Sequence, residues 1–127
     1  GLYDGKSALN SDDLLMVGYG ITSESARDSR FLRKVNKSAK LDSRVEGPNI
    51  VFDQRNGRGG VCSGDSGGPI YAKVGNQYKI IGVNSVVAGP KEEDVCHNFS
   101  IAMYMPSFAD WVEQSLQAWG QKTSELR

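Results

Sequence analysis

The sequence predicts an all-β domain in which antiparallel strands form a small barrel that is closed by a C-terminal helix. Short apolar runs bounded by glycine, proline and polar residues recur along most of the chain, and such runs are typical of the strands of a small barrel. The hydrophobic period then changes near the C-terminus, where apolar residues recur at the spacing of one helical face. Several short strands followed by one helix indicate this fold class.

Six segments are predicted as strands. They are residues 14–20, 31–37, 49–52, 69–74, 78–87 and 99–104. The segment at 31–37 alternates loosely enough for a strand, although its basic residues would also suit a short helix. The segments at 69–74 and 78–87 are predicted to form a hairpin around Gly75. The polar or glycine-rich segments between strands are predicted as loops and include residues 22–30, 38–48, 56–60 and 88–98.

The helix is predicted near the C-terminus, between two residues that commonly mark helix ends. Pro106 suits an early helical position, and Gly120 suits a stop. The apolar positions of the helix are Phe108, Trp111, Val112, Leu116 and Trp119. We expect the aromatic side chains among them to anchor the helix in the core rather than to form a binding surface.

Length and charge restrict the classes of function. The chain has 127 residues, which fits one domain with a single modest core. We assign residues 1–13 to a polar arm or linker, residues 14–120 to the barrel with its helix, and residues 121–127 to a tail. The 15 lysines and arginines balance 15 aspartates and glutamates, so the charge favours neither nucleic acid nor a membrane as a partner. No apolar run is long enough to span a bilayer.

The most informative stretch is residues 62–69, which reads Cys-Ser-Gly-Asp-Ser-Gly-Gly-Pro. Its glycines allow the backbone to turn sharply and to approach another molecule closely. Successive N–H groups in such a turn can converge on one point and bind an anion. If that point lies beside the Ser66 hydroxyl, the loop supplies a nucleophile together with an oxyanion hole, as acyl transfer requires. The alternative is a surface turn of glycine and serine without a function.

This stretch resembles the nucleophile segment of the trypsin/chymotrypsin-like serine endopeptidases. The resemblance extends from about residue 14 to residue 119, and it includes the Gly-Tyr-Gly at residues 18–20 and the Ala-Asp-Trp-Val at residues 109–112. It implies that the chain is the second, C-terminal barrel of such an enzyme, a six-stranded antiparallel Greek-key barrel with a C-terminal helix. Because the first barrel of a family member carries the catalytic histidine and aspartate, we expect a missing N-terminal barrel as a partner of this chain.

The resemblance also implies roles for individual residues. Ser66 corresponds to the nucleophile, and the backbone N–H groups of Gly64 and Ser66 correspond to the oxyanion donors. Asp65 corresponds to the residue that pairs with a newly liberated N-terminal ammonium and so shapes the oxyanion hole. Ser85 corresponds to the strand residue that supports the triad aspartate and then pairs with the substrate backbone.

The same resemblance identifies a substrate pocket. Its residues are Gly60, Ser85, Val86, Val87 and Ser100. Gly60 corresponds to the pocket floor and supplies no carboxylate for a basic side chain. Val87 and Ser100 correspond to the walls, where they narrow the pocket. We therefore expect an elastase-like preference, with cleavage after Ala, Val or a residue of similar size.

The two cysteines, Cys62 and Cys96, allow a single intramolecular pairing. From the residues alone, they can also be two free thiols of a cytosolic protein. The resemblance implies a disulfide that joins the nucleophile segment to a later loop at the pocket. Such a bond in turn implies a secreted or periplasmic protein.

The sequence lacks a residue that is marked as the general base. Its one histidine, His97, follows Ser66 in the chain and adjoins Cys96 at the expected rim of the pocket. We expect His97 to be a solvated loop residue, and no lysine is marked for the role. The sequence therefore holds a nucleophile without its base.

The predicted function is that of the nucleophile-bearing half of a serine endopeptidase, with a polypeptide as substrate. The complete enzyme would hydrolyse peptide bonds through an acyl-enzyme on Ser66, whereas this chain alone would be nearly inert. The alternative is a non-catalytic fragment that binds extended peptides or assembles with itself as a homo-oligomer. We expect neither a cofactor nor a metal ion.

Overall fold

A computed structural model describes residues 1–9, 12–21, 31–55, 59–89, 95–123 and 126. Within these residues the chain forms one antiparallel sheet and one α-helix, which confirms the predicted all-β class. The strands are β1 (Asp13–Gly18), β2 (Arg33–Ser38), β3 (Ser43–Glu46), β4 (Asn49–Asp53), β5 (Pro69–Val74), β6 (Gln77–Ala88) and β7 (Phe99–Tyr104), and the helix is α1 (Ala109–Ala118). Two 3-10 turns, Val95–His97 and Met105–Phe108, flank β7. The predicted loop at 22–30, and parts of those at 56–60 and 88–98, lie outside the described residues.

The sheet curves back on itself as a barrel. Its strand order is β2-β1-β5-β6-β7-β4-β3, so the two edge strands, β2 and β3, are neighbours in the chain. The residues between Ser38 and Ser43 can span at most about 18 Å, which keeps these edges close. The Lys37 side chain reaches from β2 to the end of β4, because its Nζ donates to the carbonyl of Asp53 at 2.8 Å.

Alternating side chains on the strands form the main core. Leu14 and Met16 of β1 are both 1% exposed, and Ile70 and Ala72 of β5 are fully buried. Every second side chain therefore lies on the inner face, as the pleat of a strand requires. Phe52 of β4 fills the centre of the same cluster. Burial of a large apolar side chain of this kind stabilises the fold by roughly 1.5–3 kcal/mol.

One strand, β3, lies in a segment that the sequence predicts as a loop. It pairs with β4 in a register that places Ser43 opposite Phe52 and Val45 opposite Ile50. The side chains of β3 are exposed or half-buried, since this edge strand turns no apolar face to the core. The described part of the barrel therefore has seven strands, where the resemblance implies six.

The first residues of the chain lie against β6. Leu2 forms a parallel bridge with Ile80, and the N–H of Tyr3 donates to the Ile80 carbonyl at 2.9 Å. Tyr3 is buried in the main core, and Leu2 packs in a second apolar cluster with Met105 and Ala109. The segment that the sequence assigns to a polar arm thus contributes two buried side chains to the barrel.

Helix α1 packs against this second cluster through Ala109 and Val112. Trp111 and Trp119 are 66% and 71% exposed, so the expectation that they anchor the core is wrong. Neighbouring positions on a helix point in different directions, and Trp111 therefore cannot share the buried face of Val112. Phe108 does pack against the cluster as a partly buried side chain. No helix in the described ranges is both long and apolar enough to cross a membrane.

Candidate active site

Residues 59–68, the nucleophile loop, precede β5 and carry the candidate site. Cys62 in this loop forms a disulfide with Cys96 in the 3-10 turn before β7, which confirms the predicted pairing. The two Cα atoms are 4.9 Å apart, within the usual range for such a bond, and both cysteines are buried. The disulfide therefore fixes the nucleophile loop to the 3-10 turn before β7.

A buried glutamine that the sequence did not mark lies beneath the loop. Gln54 is 1% exposed, and its amide nitrogen donates to the carbonyls of Val61 and Cys96 at 2.9 and 2.8 Å. Its amide oxygen accepts from the Val61 N–H at 2.7 Å. Gly60 has a φ of 154°, and a Cβ there would overlap the Gln54 side chain. Position 60, the predicted pocket floor, therefore requires glycine, because the Gln54 side chain occupies the space that a Cβ would need.

A buried lysine fastens the start of the same loop. Lys37 is fully buried, and its Nζ donates to the carbonyls of Asp53 and Gly59 at 2.8 and 2.7 Å. It lies two positions after Val35 and therefore on the same face of β2, which turns towards the barrel interior. The one sequence signal for the contact of Lys37 with this loop was its charge at a strand position that faces the barrel interior.

Asp65 binds two backbone N–H groups from separate parts of the chain. Its Oδ1 accepts from Gly20 and its Oδ2 accepts from Cys62, both at 2.9 Å. Gly18 and Gly20 lie so close that a Cβ on either would overlap the carboxylate. The Asp65 side chain therefore joins the nucleophile loop to the end of β1, and the predicted Gly-Tyr-Gly segment makes room for it.

A cavity of about 210 Å³ lies beside Asp65. Its walls include Gly60, Arg33 and His97. His97, the histidine considered as a base, thus lines this cavity rather than the smaller pocket that contains Ser66. His97 is exposed, at the end of the 3-10 turn before β7.

Ser66 is exposed at the tip of the loop. Its Oγ donates to the carbonyl of Ser85 in β6 at 2.8 Å. Backbone bonds dock the loop on the same strand, from Gly67 N–H to the Asn84 carbonyl at 2.8 Å and from Asn84 N–H to the Gly68 carbonyl at 2.9 Å. The N–H groups of Gly64 and Ser66, the predicted oxyanion donors, have no acceptor among the described residues.

A second pocket, of about 60 Å³, opens beside Ser66. Its lining consists of Val61, Cys62, Ser63, Ser66, Asn84, Ser85, Val86 and Val87. The fold therefore places Ser66 beside Ser85, Val86 and Val87, three of the residues that the sequence analysis assigned to the substrate pocket. Gly60 lines the larger cavity instead, and Ser100 lies opposite Val87 in the β6–β7 ladder, 1% exposed.

Two buried polar side chains near this pocket lack hydrogen-bond partners within the described ranges. Asn84 is 4% exposed, and neither its amide nitrogen nor its amide oxygen is paired. The hydroxyl of Ser100 is also unpaired. The sequence analysis did not mark Asn84, which precedes the predicted Ser85 by one position. Its one sign in the sequence was that it and Ser85 are polar residues within the mostly apolar 80–87 segment.

Comparison with known proteins agrees with the fold. A family model described as Trypsin matches residues 4–112. Two mutants of human heparin binding protein superpose with TM-scores of 0.69 at 22% and 23% identity, and an atomic-resolution structure of HBP does so with a TM-score of 0.67 at 22% identity. Each match covers 92% of this chain but only 48–49% of the other, so the chain spans about half the length of these structures. A comparison with curated protein sequences finds no match.

Proposed function

Because the chain belongs to the trypsin family, we propose that it supplies the nucleophile, the oxyanion hole and the substrate pocket of a serine endopeptidase. The observation that carries the proposal is the placement of the exposed Ser66 hydroxyl at the mouth of a small pocket, 2.8 Å from the Ser85 carbonyl. A nucleophile, a main-chain acceptor for an extended peptide and a side-chain pocket are thus adjacent. These are the parts that cleavage of a peptide bond needs on this side of a substrate.

In the proposed reaction, the Ser66 Oγ attacks the scissile carbonyl carbon, and its proton passes to a histidine of a separate, N-terminal barrel. The negative charge that develops on the carbonyl oxygen is stabilised by the N–H groups of Gly64 and Ser66. The same histidine then returns the proton to the leaving amine. The histidine next takes a proton from a water molecule that attacks the acyl carbon, and it gives this proton to the Ser66 oxygen as the acyl–oxygen bond breaks and the carboxylic acid product leaves. Asp65 contributes by holding the loop through Gly20 and Cys62.

The pocket supports a preference for small side chains. Its volume of about 60 Å³ is far below the roughly 300 Å³ at which pockets for larger ligands begin. Among the described residues that line it, none carries a carboxylate that would pair with lysine or arginine. We therefore propose cleavage after alanine, valine or a residue of similar size.

The proposal requires a partner and an oxidising compartment. The catalytic histidine and aspartate would come from the N-terminal barrel, since the described residues that line the Ser66 pocket include no histidine. The Cys62–Cys96 disulfide favours a secreted or periplasmic location. A second candidate function is peptide binding or self-association without hydrolysis. Val86 favours this second function. It is half exposed on β6 beside the Ser66 pocket and makes the surface there partly apolar.

Peptide cleavage by the full-length product of the gene that encodes this chain tests the proposal. A peptide library should be cut after small residues, and Ser66→Ala should abolish cleavage. Ser115→Ala, on helix α1 and away from the site, is the matched serine control and should cut normally. Cleavage that survives Ser66→Ala, or a preference for lysine or arginine, would refute the proposal. Peptide binding without any cleavage would favour the second candidate.

A further inference from the structure

Strand β3 leaves one edge of the sheet open. It is the last strand in the order, and within the described ranges it pairs with β4 alone. All four of its residues are exposed or half-buried. An open edge presents backbone N–H and carbonyl groups that can bind a further strand. The proposed reaction makes no use of this edge.

The backbone of Val45 points outwards from the β3 edge. The N–H of Asp53 donates to the Asp42 carbonyl at 2.8 Å, which identifies the hydrogen-bonded rungs of the β3–β4 ladder. Such rungs alternate with open ones, so Arg44 is bonded to β4 and Val45 is not. The N–H and the carbonyl of Val45 therefore have no partner among the described residues. The Val45 side chain is 54% exposed.

Oppositely charged side chains flank Val45. Arg44 precedes it and Glu46 follows it, and these two side chains lie on the same side of the strand. The Nε atom of Arg44 and the Oε1 atom of Glu46 are 2.6 Å apart, and both side chains are mostly exposed. A basic and an acidic residue placed symmetrically about an outward-pointing position make this edge complementary to a copy of itself.

We propose that two copies of this chain form a dimer through β3, which pairs antiparallel with β3 of the second copy and places Val45 opposite Val45 on a two-fold axis. The two valines exchange both of their backbone hydrogen bonds. Arg44 lies opposite Glu46 of the second copy, and symmetry supplies the reverse pair. The inference does not depend on the proposed hydrolysis, because the Ser66 loop docks on β6, inside the sheet.

The charges select this register among its neighbours. A two-fold register centred on Arg44 would place two arginines opposite each other, and one centred on Glu46 would do the same with two glutamates. Like charges directly opposite each other on neighbouring strands are destabilising, whereas opposite charges are stabilising. Of these registers, only the one centred on Val45 makes both charged pairs attractive.

Sedimentation equilibrium of the 127-residue chain tests the inference. Strands of four residues give a small interface, so we expect a dissociation constant on the order of 0.1 mM, within a dilution series from about 1 mM to about 10 µM. Arg44→Glu and Glu46→Arg each place like charges opposite each other, and each should weaken association by about tenfold. Val45→Pro removes the N–H that the second copy needs and should abolish the dimer, although an outward-facing edge position tolerates proline within the chain.

Exchange of the two charges identifies the register. The double variant Arg44→Glu/Glu46→Arg restores opposite charges across the axis and should dimerise as the unmodified chain does. An equimolar mixture of the two single variants should form heterodimers, since the glutamates of one chain then face the arginines of the other. Lys122→Glu, an equal change of charge at an exposed position after α1, is the matched control and should leave association unchanged.

Three results would each overturn the inference. The first is a chain that stays monomeric up to about 1 mM. The second is association that Arg44→Glu and Val45→Pro leave unchanged, which would place the contact on another surface, such as the one around Ser66. The third is a double variant that associates no better than the single variants, because the charges would then not lie opposite each other.

Discussion

The Ser66 hydroxyl donates to the main-chain carbonyl of Ser85 at 2.8 Å. This carbonyl is the one that the proposed function assigns to the substrate backbone, so nucleophile and substrate share an acceptor. A carbonyl oxygen has two lone pairs, so the Ser85 carbonyl can accept from a bound peptide as well as from Ser66. Under the proposed function, the same oxygen would position both the nucleophile and the substrate backbone.

Asp65 should stabilise the nucleophile loop through its two backbone partners. Asp65→Ala removes the acceptor for the N–H groups of Gly20 and Cys62, and we expect the free energy of unfolding to fall by about 3 kcal/mol. Asp65→Asn keeps one acceptor oxygen and should lose less. Urea denaturation measures both changes. Equal stability of Asp65→Ala and the unmodified chain would show that the carboxylate does not hold the loop.

Gln54 should contribute as much to stability as Asp65 does, although it lies outside the motif at residues 62–69. Gln54→Leu leaves the Val61 N–H and two buried carbonyls without partners, and we expect a loss of about 3 kcal/mol or more in unfolding free energy. Gln77→Leu, at the exposed start of β6, is the matched control and should change stability by less than about 0.5 kcal/mol. Similar losses in both variants would contradict this role for Gln54.

The Cys62–Cys96 disulfide should stabilise the domain by restricting the unfolded chain. Its cysteines are 34 positions apart, a loop whose closure corresponds to about 4 kcal/mol in the chain-entropy model. Thermal or urea unfolding of Cys96→Ser, compared with Cys62→Ser/Cys96→Ser, measures the loss and separates it from any effect of a free thiol. Added reductant should destabilise the unmodified chain and leave the double variant unchanged; the reverse result would exclude the disulfide as the cause.

The Asp4 carboxyl group, in the turn near the N-terminus, should titrate at an unusually low pH. The Ser7 hydroxyl, and then the N–H groups of Ser7 and Lys6, bind the Asp4 carboxylate and lower its pKa to about 2. The unfolded value is about 3.9, so the stabilisation is complete above that pH and is lost as the pH falls through about 2. An NMR titration of the Asp4 carboxyl carbon measures this, and Ser7→Ala should raise the midpoint. A midpoint near 4 in the unmodified chain would contradict the contacts.

The sequence predicts the parts of the fold that have local signals. Strands β5 and β7 have the predicted bounds, because apolar residues alternate there between clear turns. Strand β3 was not predictable in this way, since an exposed edge strand has no apolar face. Leu2 and Tyr3 are isolated apolar residues within a polar stretch, and only their contacts to β6 make them part of the core.

In the candidate site, too, only the residues that belong to a local sequence motif could be predicted. The nucleophile loop carries a dense local motif, so Ser66 and Asp65 could be singled out through its resemblance to a known family, and the same resemblance implied the disulfide. Gln54 and Lys37 hold the loop through hydrogen bonds to backbone carbonyls that are distant in sequence. Asn84 lies beneath the loop, and its side-chain amide has no partner among the described residues. Buried polar residues of this kind have no local pattern, because their partners are chosen by the fold.

The rate at which a serine-directed phosphonate labels Ser66 tests the central claim most directly. We expect the 127-residue chain alone to react at the rate of an ordinary exposed serine, since the Ser66 hydroxyl is bonded to Ser85 and none of the described residues lining its pocket is a base. The full-length gene product should react faster by several orders of magnitude, because loss of the histidine from a comparable triad costs roughly a millionfold. Rapid labelling of the chain alone, or no acceleration in the full-length product, would contradict the account.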